Sequence, residues 1–187
     1  PQQLESETYP PVQAEEAAKV GEEVEAKNKY GQTFLYRVDS VEKTKELGGR
    51  EGFDLAEDPY FDEAVDETGR LTGKKTFVFV TITITNTEEV PLTPYLNTLR
   101  IYSSEQATTA SGPEPQYLNP AQNKGKSQFA YTFEPNQPET VELGYTVPDD
   151  QLDNMYFIVG RDMIDVVVGD LDNPIEGDRK AIDLNAQ

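Results

Sequence analysis

The chain has 187 residues, 36% of them apolar, which is enough for one domain with a proper core and too little for two large ones. It contains no histidine, cysteine or tryptophan, and this excludes Ser-His-Asp and Cys-His catalysis and zinc sites built from thiolate or imidazole. With 16 basic and 35 acidic residues the formal charge is −19, which disfavours binding to nucleic acid or anionic membranes.

The first segment of the chain is polar and rich in proline and glutamate. Residues 1–19 contain only scattered apolar side chains, so the segment buries too little surface to offset its ordering entropy. We therefore predict a flexible tether over 1–19, a β-sandwich domain over 20–175 and a C-terminal tail over 176–187.

Alternation of apolar and polar residues predicts about eight short strands, which is typical of a β-sandwich or a barrel. The most informative is 76–86, where Val80 and Ile82 point to one face and Phe77 and Phe79 to the other. One face should be buried and the other half covered. The remaining predicted strands are 21–26, 33–41, 98–103, 128–133, 140–147, 155–159 and 163–168, the last two forming a hairpin. The residues expected to be buried together from both sheets are Tyr36, Val38, Val80, Ile82, Leu143 and Tyr145.

Two long insertions separate the predicted strands, over residues 43–75 and 104–127. In the first, Asp58 as N-cap and Pro59 at the first helical position predict a short helix over 58–66. Phe61 and Val65 lie one turn apart and would dock this helix onto the sandwich.

Three pieces of the sequence carry a resemblance to a known family. They are Gly21-Glu-Glu-Val with Val38-Asp-Ser-Val41, the strand 77–86 with its continuation to Leu92, and residues 134–148. In this order they resemble the immunoglobulin-like, telokin-like domains of surface lipoproteins of Gram-positive bacteria, most of which are domains of unknown function. The resemblance covers roughly residues 20–168.

The resemblance implies an all-β, immunoglobulin-like β-sandwich of about eight strands, with the predicted short helix in a long loop. It also implies an extracellular address, with the polar segment 1–19 following a lipid-modified cysteine and linking the domain to the membrane. It carries no catalytic residues. We therefore expect a non-catalytic binding or interaction module, with an unknown protein or glycan partner at the cell surface and membrane contact only through the anchor.

Four tyrosines in or beside the long loops are the candidate ligand-binding residues: Tyr60, Tyr95, Tyr102 and Tyr117. Exposed tyrosine stacks on sugars or anchors a protein partner at low entropic cost. The alternative, which we favour, is that these rings cap the ends of the core.

The acidic residues suggest two further chemistries. A carboxylate pair can hydrolyse glycosides, but 35 acids produce many chance pairs, so we expect no enzyme. Calcium takes six to eight oxygen ligands. The best candidate set is Asp170, Asp172, Asn173, Glu176 and Asp178. Pro174 interrupts this segment, and Gly177 comes too late in it to match the EF-hand pattern. We therefore expect these carboxylates to form a solvated acidic surface, with no cofactor. The alternative function is a small-ligand module that binds carbohydrate or calcium.

Overall fold

The computed structural model describes residues 13–53, 65–104, 112–123, 128–166 and 173–185. Regular structure in these ranges is almost entirely β, and the helical elements are single 3₁₀ turns at Ala14–Glu16, Leu96–Thr98 and Asp149–Gln151. The strands are β1 (Glu23–Lys27), β2 (Thr33–Thr44), β3 (Lys75–Asn86), β4 (Tyr117–Asn119), β5 (Glu139–Pro148), β6 (Tyr156–Gly160) and β7 (Arg179–Asp183). The predicted all-β sandwich is confirmed.

The larger layer is an antiparallel five-stranded sheet in the order β1-β2-β3-β5-β4. At its centre Ile82 of β3 lies opposite Val38 of β2 and Val141 of β5. Asp39 is the extra residue of a β-bulge, because the register moves between Val38 and Ser40. The long alternating segments therefore form the central strands, as the sequence predicts.

The second layer combines the β6-β7 pair with segments that pair only at isolated bridges. The predicted strands 98–103 and 128–133 are not regular strands in the structure. Phe133 and Tyr131 donate to the carbonyls of Leu92 and Pro94, but Pro94 has no N–H to return, which interrupts the ladder. The residues before Leu99 instead close a 3₁₀ turn, in which the Thr98 hydroxyl donates to the Tyr95 carbonyl at 2.8 Å.

The predicted hairpin between 155–159 and 163–168 is wrong, because β6 pairs with β7 from the end of the chain. After β6 the chain makes local turns, with the Met163 N–H donating to the Gly160 carbonyl at 3.1 Å, and within the described residues 161–166 no segment pairs with β6. Ile182 and Leu184 are fully buried. The predicted tail 176–187 thus contributes a strand and core residues, and the domain boundary at 175 needs correction.

The predicted tether also extends too far. Ala17 is buried, and Ala18 forms a parallel bridge with Ile182. In this bridge the Ala18 N–H donates to the Ala181 carbonyl at 3.0 Å and the Asp183 N–H donates to the Ala18 carbonyl at 2.8 Å. Lys19 adds an ion pair to Asp183 at 2.9 Å. Residues 17–19 therefore belong to the domain, while 1–12 lie outside the described residues.

The six residues predicted to be buried together all belong to the main core cluster. They come from β2, β3 and β5 of one sheet, however, and not from both sheets. The other layer contributes residues such as Met155, Phe157 and Ile182. The predicted helix 58–66 falls largely outside the described residues, and Val65 at its end forms a bridge with Leu71.

Candidate functional site

An open groove of about 710 Å³ lies on the surface of the described residues, and we call it the edge groove. It is bordered by the N-terminal segment 13–18, by residues 22–24 at the start of β1, by Ile158 of β6 and by residues 176–181. These elements belong to different layers of the sandwich, so the groove lies where the edges of the two layers meet.

The groove exists because the edges of β1 and β7 converge at one end only. There the Lys27 N–H donates to the Asp178 carboxylate and the Asp178 N–H donates to the Lys27 carbonyl, both at 2.8 Å. Further along, the Lys180 ammonium bridges the strands by donating to the Glu25 carbonyl at 2.5 Å. Beyond that point Ala18 occupies the edge of β7 at Ile182.

The lining of the edge groove is both acidic and apolar. Its carboxylates are Glu15, Glu16, Glu22, Glu23 and Glu176, and its cations are Arg179 and Lys180. Five negative charges against two positive ones leave an excess of three negative charges. Apolar surface comes from Ala17, Ala18, Val24, Ile158 and Ala181. Such a lining suits an amphipathic or basic ligand better than an anion.

The candidate tyrosines are not brought together as one binding surface. Tyr60 lies outside the described residues, and only Tyr95 is exposed, at 43%. Tyr102 and Tyr117 are buried, and this burial raises the pKa of both phenols. The Tyr117 ring stacks on Phe53 with 5.9 Å between ring centroids. Burial favours the interpretation that Tyr102 and Tyr117 serve the core.

A smaller polar cleft of about 320 Å³ lies beside Tyr102. Arg100 and Glu114, which form an ion pair, line it together with Thr98 and Asp162. The Asn97 side-chain oxygen, also in this cleft, is buried without a hydrogen-bond partner among the described residues. An unpaired acceptor beside fixed charges could bind a small polar molecule that carries a donor.

The residues proposed for calcium are placed only in part. Asp170 and Asp172 lie outside the described residues, while Asn173 and Glu176 are exposed. Asp178 has a structural role, since its carboxylate accepts the Lys27 N–H. Within the described ranges no three His, Cys, Asp or Glu side chains are grouped to hold a metal ion.

Sequence reasoning missed the groove residues because it did not recognise β7. The signal available was the short alternation of Ile182 and Leu184 around Asp183. With β7 in place, the opposing edge of β1 and the outward position of Ile158 follow from strand geometry. The sequence suggests Glu176 and Asp178 only as metal ligands. In the structure Glu176 lines the groove, and Asp178 lies at the end where β1 and β7 converge.

Comparison with known proteins supports the fold. No protein-family model and no curated protein sequence matches this chain. The crystal structure of the yjhA protein from Bacillus subtilis is similar, with a TM-score of 0.52 and 13% identity over 89% of this chain and 99% of that one. At such identity the likeness shows the sandwich fold alone.

Weaker likenesses connect the chain to two more bacterial structures. One is a "putative lipoprotein", ycdA, from Bacillus subtilis, with a TM-score of 0.45 and 11% identity over 87% of this chain and 39% of that one. The other is an uncharacterized β-sandwich protein from Clostridium difficile 630, with a TM-score of 0.40 and 12% identity over 97% of both chains. In the described part of this chain no helix is long and apolar enough to cross a membrane.

Proposed function

We propose that this chain is a non-catalytic, immunoglobulin-like surface domain that binds a protein partner through the edge groove. The observation that carries the proposal is the groove itself, an open concavity of about 710 Å³ bounded by two strand edges. An open groove lined by both charged and apolar residues fits a polypeptide better than an enclosed metabolite.

The absence of catalysis in this proposal rests on the available chemistry. The chain has no histidine or cysteine, and several described carboxylates have fixed partners. Asp149 accepts the Thr76 hydroxyl, which lowers its pKa, and Lys45 reinforces this effect. For Asp39, burial raises the pKa, but the bonds from Thr83 and Arg37 outweigh it and the net pKa is lowered. Carboxyls whose pKa is lowered by such bonds are poor proton donors at neutral pH, which supports a structural role for these two residues.

The extracellular, lipid-anchored address belongs to the same proposal. It is supported by the resemblance to surface lipoprotein domains and by the polar composition of residues 1–12, which precede the packed segment at Ala17. Mass spectrometry of the native protein from a membrane fraction tests it. We expect a diacylated cysteine N-terminal to this segment, and a form lacking any lipid would contradict the anchor.

The binding role is tested by blocking the groove without disturbing the core. Ile158 is half-buried on the groove, and Ile158→Arg should remove partner binding by placing a charge against its apolar contact. Val90 is 57% exposed on the turn after β3, so Val90→Arg is the matched control. In pull-downs from surface extracts, a partner retained by wild type and the control should be lost with Ile158→Arg. Equal retention by all three proteins would refute the proposal.

A second candidate is a small-ligand module, which the unpaired Asn97 oxygen in the polar cleft favours. Glycan-array binding that is lost with Asn97→Ala and retained with Ile158→Arg would select this alternative. Our proposal includes no cofactor. A saturable, calcium-specific rise in Tm that disappears in Asp170→Asn/Asp172→Asn would instead move the function to a calcium-stabilised module.

A further inference from the structure

The edge of β1 that faces the groove presents backbone groups in a regular pattern. Within the described residues β1 pairs with β2 alone, and Lys27 directs both its N–H and its carbonyl away from β2, towards Asp178. Strand geometry repeats every two residues, so Glu25 and Glu23 direct their backbone groups the same way. The Glu25 carbonyl confirms this direction by accepting Lys180.

The opposite wall of the groove supplies apolar contact from a cross-strand pair of residues. Ile158 and Ala181 are directly paired in the β6-β7 register, and both are half-buried on the groove. Val24 adds apolar surface from the β1 side. An extended chain whose alternate side chains are apolar can therefore contact this wall while its backbone follows β1.

Charge determines which kind of extended chain fits. Glu16 and Glu23 are exposed on the groove, and they belong to its excess of three negative charges, from five carboxylates against two cations. Lys180 shows that the site accepts an ammonium, since its Nζ already lies on the Glu25 carbonyl. Basic side chains in a ligand would find the same kind of partners, whereas acidic ones would be repelled.

We propose that the edge groove binds an extended, basic peptide segment of a partner protein, which adds to β1 as an extra antiparallel or parallel strand. This inference rests on the proposed function and specifies its ligand and binding mode. The main-chain bonds along β1 give affinity, and the acidic rim together with the Ile158 wall gives the preference for alternating basic and apolar residues.

The probe is a fluorescein-labelled peptide of alternating lysine and valine, about eight residues long at roughly 3.3 Å per residue. Three control peptides are used. The first has the same composition but places all the lysines before the valines, and the second replaces every lysine by glutamate. The third keeps the alternating sequence but is N-methylated at alternate residues. Fluorescence anisotropy with the whole chain at low salt should show saturable binding of the alternating peptide. Each control peptide should bind about tenfold or more weakly.

Charge-reversal variants distinguish the effect of the groove carboxylates on peptide affinity from the effect of the net negative charge of the chain. The double variant Glu16→Lys/Glu23→Lys should bind the alternating peptide about tenfold or more weakly than wild type at low ionic strength. The control Glu51→Lys/Glu67→Lys changes net charge equally at exposed sites on the insertion after β2, and its effect should stay within about twofold. Glu23→Gln, which keeps the side-chain shape, should give a smaller loss in the same direction.

Lys180 provides a test of opposite sign. Because its ammonium occupies the Glu25 carbonyl, Lys180→Met should free this acceptor and strengthen peptide binding several-fold. Lys43→Met is the control, since Lys43 donates to the Leu152 carbonyl on the part of β2 that extends beyond β1. Equal effects of the two changes would show that net charge alone acts, which would contradict competition at the edge.

Hydrogen exchange decides the binding mode. The alternating peptide should slow exchange of the Glu23 and Glu25 amides, because strand addition places them in a ladder. If Ile158→Arg loses the native partner but no peptide protects these amides, strand addition is overturned while the binding function stands. If the peptide protects them but the native partner ignores the groove, the proposed function fails and the edge site remains.

Discussion

The two faces of the five-stranded sheet are both covered, but by different kinds of structure. The inner face carries the main core, in which aliphatic residues and tyrosines of β2, β3 and β5 pack against the second layer. The outer face carries a separate cluster of Leu71, Phe77, Phe79 and Tyr117. The insertion after β2 covers this cluster with Leu47, Phe53 and Val65. One face is closed by a layer, and the other by a loop.

The outer cluster depends on a few specific contacts. The Arg50 guanidinium lies 3.5 Å from the centroid of Phe79 and donates to Glu142 at 2.7 Å and to Glu42 at 2.8 Å. Gly144 leaves the space for the rings, since a Cβ there would lie 2.7 Å from Phe53. The inner face should therefore control global stability, while the outer face should control whether the insertion stays closed.

The largest expected effect is on the inner face. Ile82→Ala removes a fully buried side chain at the centre of β3 and should lower the free energy of unfolding by about 2–5 kcal/mol. Thr81→Ala, at the half-buried outward neighbour, is the control and should cost about 1 kcal/mol or less. Urea denaturation measures both. A loss for Ile82→Ala as small as that of the control would contradict the assignment of the faces.

Removing the anchor of the insertion should have a smaller and more local effect. Phe53→Ala loses three ring contacts, with Phe77, Phe79 and Tyr117, but the side chain is only half-buried. The loss in free energy of unfolding should be smaller than the about 3–5 kcal/mol that truncation of a fully buried phenylalanine costs. Limited proteolysis should cut the insertion well before the sheet unfolds. Cleavage at the wild-type rate would mean that the insertion closes without Phe53.

Adding a side chain on the outer face should also show that the insertion depends on close packing around Phe53. Gly144→Ala places a methyl group 2.7 Å from Phe53 and 2.9 Å from the Tyr117 Cβ, and should cost about 1–3 kcal/mol. In the double variant with Phe53→Ala, part of this cost should disappear because the nearest ring is gone. Strict additivity in a double-mutant cycle would show that the clash lies elsewhere.

Two inner-face tyrosines form a finer comparison. The Tyr145 hydroxyl donates to the Leu99 carbonyl at 2.6 Å, so Tyr145→Phe should cost about 1–3 kcal/mol. The Tyr36 hydroxyl is buried without a partner among the described residues, and its burial raises the pKa of the phenol. Tyr36→Phe should be neutral or slightly stabilising, by about 1 kcal/mol at most. Denaturation midpoints in the reverse order would refute this contrast.

The smallest effect concerns acid. The Thr76 hydroxyl, and then Lys45 of the insertion, lower the pKa of Asp149 in the folded chain. Its stabilising contribution is therefore present above the unfolded pKa of about 3.9 and is lost as pH falls through the folded value. Asp149→Asn should flatten the acid limb of the stability curve relative to that of the wild-type chain. Identical acid limbs would contradict the assignment.

The parts of the fold that the sequence predicts are those with long local patterns. β3 and β5 alternate over 12 and 10 residues, so their existence and buried face follow from period-2 spacing. β7 has five residues, of which Ile182 alone is buried, and its pairing with β6 joins distant parts of the chain. A pattern this short cannot specify which strand it pairs with. The sequence therefore predicts the nearer segment 163–168 as the partner of β6, which is wrong.

The site was harder to predict than the fold for a physical reason. A groove forms where strands fail to pair, and periodicity describes only where strands lie. The tyrosines show the same limit, because composition places rings near loops but burial decides their role. Tyr117 is covered by Phe53, which lies 64 positions earlier in the chain, whereas Tyr95 remains exposed.

The parallel bridge between Ala18 and Ile182 has a mechanical consequence. Because the two segments run in the same direction, the chain leaves the bridge at opposite ends, towards residue 13 on one side and residue 185 on the other. Tension applied to both ends therefore loads the two backbone bonds and the Lys19–Asp183 ion pair simultaneously, in shear. A zipper would break them one at a time. The bridge between Ala18 and Ile182 should therefore resist pulling, and Ala18 also borders the edge groove.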